Sequence, residues 1–128
     1  MTLADLHKEI ALGEDSTRQF KADLRNGESL AAEMVAFANA EGGMLLVGVA
    51  DDGSVPGLSQ ADVHRINQLI TNVSSQQVRS PLTVHTQNLS VQPDRLVIVL
   101  KVPKGIDKPY FDNLAYSFGN ARFEGGNG

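Results

Sequence analysis

Two acidic positions raise the possibility of catalysis. Glu14 precedes one predicted strand, and Asp51-Asp52-Gly53 follows another. Strands that meet in one sheet can bring such ends together. A carboxylate pair, Glu14 with Asp51, can then hold Mg²⁺ or Mn²⁺ and support phosphodiester cleavage. Asp-Asp-Gly is also an ordinary turn sequence, and the turn is the stronger reading. The basic candidates are Lys101, Lys104 and Lys108, with Arg18 and Lys21 in the second segment and Arg65 and Arg79 on or after the third predicted helix. Lys104-Gly105 and Lys108-Pro109-Tyr110 fall in a loop beyond an apolar strand, where binding residues concentrate. A Lys with a Tyr suits phosphate contact with base stacking. The simpler reading is a solvated loop, since exposed lysines are common.

Other chemistries are excluded or unsupported. With no Cys, there is no disulfide, thiolate metal site or Cys nucleophile. Gly42-Gly43 with Gly48 lacks the Gly-Lys-Ser/Thr ending of a phosphate-binding loop, and no G-x-G-x-x-G occurs. These glycines read instead as a helix cap and close strand packing. His7, His64 and His85 share no metal-ligand spacing and receive no role. His85 is expected on the exposed face of its strand. The start lacks the pattern of a signal peptide, and no apolar run approaches the roughly 20 residues of a membrane helix. The chain is expected to be cytoplasmic.

The elements that would carry these residues follow from periodicity. Leu3, Leu6, Ile10 and Leu12 line one side of a helix over 3–12, stopped by Gly13. Residues 16–23 read as a strand. Period two puts Arg18 on the Phe20 side, and Thr17, Gln19 and Lys21 on the other. Asn26-Gly27 breaks the strand, and a helix then runs from about Ser29 to Glu41 with Leu30, Met34, Phe37 and Ala38 inward. Met44–Ala50 is apolar without alternation, as in a strand covered on both faces. Ser59 and Asp62 form a capping pair for a helix with the stripe Val63, Ile66, Ile70, Val73. Strands follow over 82–91 and 95–102, and a short one over 110–118. The fold expected is one α+β domain with a mixed sheet packed with helices, in the order α-β-α-β-α-β-β and a further β.

Length and charge set the limits. The 128 residues, 41% apolar and 20% charged, fit one folded domain. The net charge is −4, with −6 in residues 1–60 and +2 in residues 61–128. An acidic chain is not the usual footprint of a nucleic-acid binder, and composition alone favours a protein partner or a small ligand.

Four segments change that balance. They are Gly13-Glu14 followed by Gln19-Phe20-Lys21; Ala36 to Gly43; Leu46 to Gly53 with Gly57-Leu58; and Lys108-Pro109-Tyr110. In this order and spacing they resemble the Schlafen AlbA-type domain, also called the AlbA-like or divergent AAA domain, of bacterial transcriptional regulators. The likeness covers about residues 8–112. It implies an α+β nucleic-acid-binding domain that usually precedes an ATPase-like region and a winged helix. On that basis residues 1–118 are the domain, 119–128 are a tail or linker, and the C-terminal partners are missing. No phosphate-loop residue supports the family's older ATP-binding label. In nuclease members the acids fall at positions matching Glu14, Gln19 and Asp51. Here the middle one is an amide, which brings no charge to a cation.

Three functions result. The first is a DNA-binding module, with RNA as an alternative ligand and no cofactor. Its phosphate contacts are Lys21, Lys101, Lys104 and Lys108, with Arg18 in addition and Tyr110 stacking. The second is a metal-dependent nuclease using Glu14 and Asp51. The third, which the acidic charge suits, is protein interaction or homodimerisation.

Overall fold

A computed structural model of the chain describes residues 1–77 and 83–105. The first helix, α1 (Leu3–Leu12), starts with a reciprocal cap. The Asp5 amide donates to Thr2 Oγ1 at 3.1 Å, and the Thr2 amide donates to Asp5 Oδ2 at 2.8 Å. Strand β1 (Arg18–Lys21), helix α2 (Gly27–Asn39) and strand β2 (Gly43–Val47) then form a parallel β-α-β unit. Helix α3 (Gln60–Asn72) continues into a π-helical turn over Val73–Gln77. Strands β3 (His85–Gln92) and β4 (Arg95–Val102) form an antiparallel hairpin. The sheet order is β1-β2-β4-β3, and β4 runs antiparallel to β2. This is an α+β domain with a mixed sheet, as expected.

The sheet divides the apolar interior in two. Leu45 and Val47 point to the side of α2 and α3, with Ile98, Leu100 and Val102. Leu46 and Val49 point to the side of α1, with Leu6, Phe20, Val97 and Val99. The unalternating run of β2 is therefore a strand buried on both faces. In α3 the Ser59 hydroxyl caps the Asp62 amide at 3.1 Å, and Val63, Ile66, Ile70 and Val73 are all buried. Helix α1 is tied to both edge strands. The Met1 ammonium donates to Gln87 Oε1 at 3.0 Å, and Gln87 Nε2 donates to the Met1 carbonyl at 2.7 Å. At its other end Glu9 holds Arg18 of β1.

Several expectations needed correction. Asn26-Gly27 starts α2 instead of only separating it from the preceding strand. The Asn26 side chain accepts from the Glu28 and Ser29 amides, so the helix begins two residues early, and it ends at Asn39. Strand β1 is shorter than 16–23, because Asp15 folds over Thr17 in a local turn, accepting from its amide and its hydroxyl at 2.7 Å each. In α1, Leu6 is buried but Leu3 is 39% and Leu12 67% exposed. A short helix lying on a sheet touches it along a narrower line than its apolar residues span. Strand β3 starts at His85, and most of its side chains are exposed at the sheet edge. The expected strand over 110–118, Lys108, Tyr110 and the 119–128 tail lie outside the described residues.

Candidate nucleic-acid interface

Register builds the site. Arg18 of β1 pairs with Met44 of β2, Met44 pairs with Lys101 of β4, and Lys101 pairs with His85 of β3. Directly opposed residues share a face, so these four form one row across the sheet on the α1 side. They line an open groove of about 530 Å³ together with Glu9, Thr17, Glu41, Gly42, Val102 and Pro103.

The four described cations among the expected phosphate contacts meet different surroundings. Arg18 is clamped. Its Nε donates to Glu9 Oε1 at 2.8 Å, and its Nη1 donates to Asp15 Oδ2 and the Gly13 carbonyl at 3.0 Å each. Its side chain is only 12% exposed. The hydrogen bond to Glu9, aided by the charge of Asp15, raises its pKa further against the pull of desolvation. Arg18 is thus a fixed wall of the groove. Lys21 points to the other side of the sheet, where its Nζ lies 3.1 Å from Glu33 Oε2 of α2. Lys101 is exposed and has no carboxylate partner among the described residues. Lys104 lies beyond β4, with Nζ 3.4 Å from Glu41 Oε1, and both side chains are more than half exposed. Its loop is fastened to the end of α2, because the Gly105 amide donates to the Ala38 carbonyl at 2.8 Å. Lys101 and Lys104 thus flank one end of β4, while Lys21 stands apart.

The acidic candidates have backbone tasks. Glu14 Oε1 accepts the Phe20 amide at 2.9 Å, on a strand at the sheet edge whose outward amides have no ladder partner. Gln19 Nε2 donates to the Asp15 carbonyl at 2.9 Å. Asp51 sits exposed in a turn closed by the Gly53 amide on the Ala50 carbonyl, and Asp52 Oδ1 accepts from the Ser54 amide and hydroxyl. Those Ser54 hydrogen bonds, the hydroxyl first, hold the Asp52 carboxyl below its ordinary range. Among the described residues no group of three or more His, Asp or Glu side chains could hold a metal ion.

Sequence reasoning gave no role to His85 or Met44, yet both lie in the row. It also left Arg65 as one cation among several. Arg65 reaches the connection between β1 and α2, bonding the Leu24 carbonyl and Asp23. No local spacing signals a contact between residues so far apart in the chain.

A small α+β domain with a groove over one end of a mixed sheet defines the class. The chain belongs to the Schlafen AlbA_2 family, whose model matches residues 14–122. The fold is shared with the N-terminal domain of an ATP-dependent DNA helicase RecG-related protein from Nitrosomonas europaea. The TM-score is 0.58 at 21% identity, over 88% of this chain and 80% of that one. It is shared also with the DIP2311 protein from Corynebacterium diphtheriae, at TM-score 0.55 and 20% identity, over 88% of this chain. This chain spans 24% of the DIP2311 chain. No curated protein sequence matches it. Among the described residues no helix is long and apolar enough to cross a membrane.

Proposed function

We propose that this domain binds DNA as the N-terminal module of a bacterial transcriptional regulator. Membership of the Schlafen AlbA_2 family supports this reading, as does the likeness to an N-terminal domain from a helicase-related protein. The observation that carries it is the placement of Lys101 and Lys104. Lys101 is exposed without a carboxylate among the described residues, and Lys104 holds only an exposed partner. An exposed ion pair is worth about 1 kcal/mol or less, so a phosphate can replace Glu41 on Lys104 at little cost. Arg18, already neutralised by Glu9 and Asp15, is a weaker contact than the two lysines. Lys108 and Tyr110 follow Lys104 within the next six residues of the chain and complete the proposed contact set. Lys21, on the opposite side of the sheet, is a secondary contact.

The test is a titration of labelled DNA, single-stranded and duplex, at two salt concentrations. Each lysine–phosphate contact contributes about 0.7–0.9 to the slope of log affinity against log salt. Changing Lys101→Glu with Lys104→Glu should remove most of the affinity and flatten that slope. Binding unaffected by this double change would place the contacts elsewhere. Absence of binding at low salt would favour the protein-interaction reading.

A further inference from the structure

The groove is chemically mixed, and that mixture is more specific than positive charge. Across the sheet the row reads Arg18, Met44, Lys101, His85: cation, thioether, cation, imidazole. Glu9 and Glu41 line the groove as well. A surface that only tracked phosphates would gain nothing from an apolar floor and would be weakened by two carboxylates. A nucleotide has use for all of these groups. Its base has an apolar face for Met44 and His85, and exocyclic amines that a carboxylate can accept from. Its phosphate is anionic and suits the exposed lysines.

Shape agrees with this chemistry. An open groove with a volume of about 530 Å³ has room for one nucleotide lying along it. A duplex presents a convex backbone and keeps its bases stacked inside, so it can touch the rim lysines but cannot fill the groove. Neighbouring strands are about 4.8 Å apart, which sets Lys101 one strand from both Met44 and His85. Lys101 can therefore contact a phosphate while the adjacent His85 stacks on that nucleotide's base.

We infer that the groove takes an unpaired nucleotide of a single strand, with the base on His85 and the phosphate on the adjacent Lys101. This inference rests on the proposed nucleic-acid function and specifies the form of its ligand.

The experiment compares a short single strand with the duplex of the same sequence, both labelled, at one fixed salt concentration. The single strand should bind at least about fivefold more tightly, since each stacked base contributes about 1–3 kcal/mol. His85 is exposed, so His85→Ala should leave the melting transition unchanged. It should weaken single-strand binding by roughly fivefold or more and leave duplex binding unaltered. Lys101→Ala should weaken both. An excess of nucleoside monophosphate should compete only weakly; equal competition on a per-nucleotide basis would point to a free nucleotide as the ligand and overturn the inference. Tighter duplex binding, or a His85→Ala variant that keeps full single-strand affinity, would overturn it while leaving the DNA-binding function standing. Failure of both strands to bind at low salt would overturn the function as well.

Discussion

The Arg65 guanidinium donates to Asp23 Oδ1 at 2.8 Å and to the Leu24 carbonyl at 2.7 Å, tying α3 to the connection between β1 and α2. A third, longer bond reaches Asp62 at 3.3 Å. Removing the guanidinium leaves a carbonyl and a carboxylate without their partner. Both side chains of the ion pair are about one-third exposed, so water recovers part of the loss. Arg65→Ala is expected to cost about 1–2 kcal/mol in urea unfolding. Arg65→Lys should recover little of it, because one ammonium cannot reproduce the fork.

The same contact gives stability a pH dependence. Partial burial pushes the Asp23 carboxyl up. The Arg65 hydrogen bond, the Leu24 amide and the charges of Arg65 and Arg25 outweigh it, and the carboxyl lies below its ordinary value. The folded pKa is thus lower than the unfolded one. As pH falls, the unfolded chain takes up the proton first. The stabilisation is present in full above about pH 5 and is lost as pH falls through the ordinary carboxylate range, near 4, toward the folded value. Asp23→Asn should be less stable at pH 7, and its stability should fall less between about pH 5 and pH 2 than that of the unaltered chain.

Gly42 holds the loop that carries Lys104. Its φ is +84°, and a Cβ there would lie 2.8 Å from the Val102 carbonyl oxygen and 2.9 Å from the Lys104 nitrogen. Both obstacles are backbone, so neither can swing aside. Gly42→Ala is expected to lose about 2 kcal/mol or more in thermal or urea unfolding. It should also weaken DNA binding in conditions where the variant remains folded, because Lys104 must shift with its backbone.

Gln19 serves the backbone of its own turn, and Gln19→Glu tests that role. The Gln19 amide donates to the Asp15 carbonyl, and a carboxylate there would face that oxygen without a proton to offer. The change should cost about 1 kcal/mol. The unaltered domain, incubated with single-stranded DNA, duplex DNA and structured RNA in Mg²⁺ or Mn²⁺, should leave them intact. Cleavage that disappears in Asp51→Asn would reverse this expectation.

Much of the fold was legible because its signals are local. The unbroken apolar run of β2, the Ser59 cap and the α3 stripe each depend on neighbouring residues alone. Asn26-Gly27 was misread because the same dipeptide can end one segment or begin the next, and the outcome depends on which amides the Asn oxygen meets. The site was legible in residue type but not in arrangement. Period two separated Arg18 from Lys21 correctly. It could not show that Glu9, Glu33 and Glu41 would each take one of the candidate cations. His85 is exposed as expected, but its cross-strand neighbour was hidden by register. Gln92 pairs with Arg95, and counting back without interruption would set His85 against the buried Val102. A shift between Ser90 and Gln92 sets it against Lys101 instead, on the other face.

The attachment of α1 has a consequence for how the domain opens. Met1, just ahead of its N-cap, is clasped by Gln87 on β3, and Glu9, near its other end, holds Arg18 on β1. The two outermost strands are therefore buckled to the same helix. Edge strands ordinarily fray one at a time, each at its own small cost. Here a β1 that peels away must release the helix or drag it off β3. The two sheet edges should therefore exchange amide hydrogens as one cooperative unit.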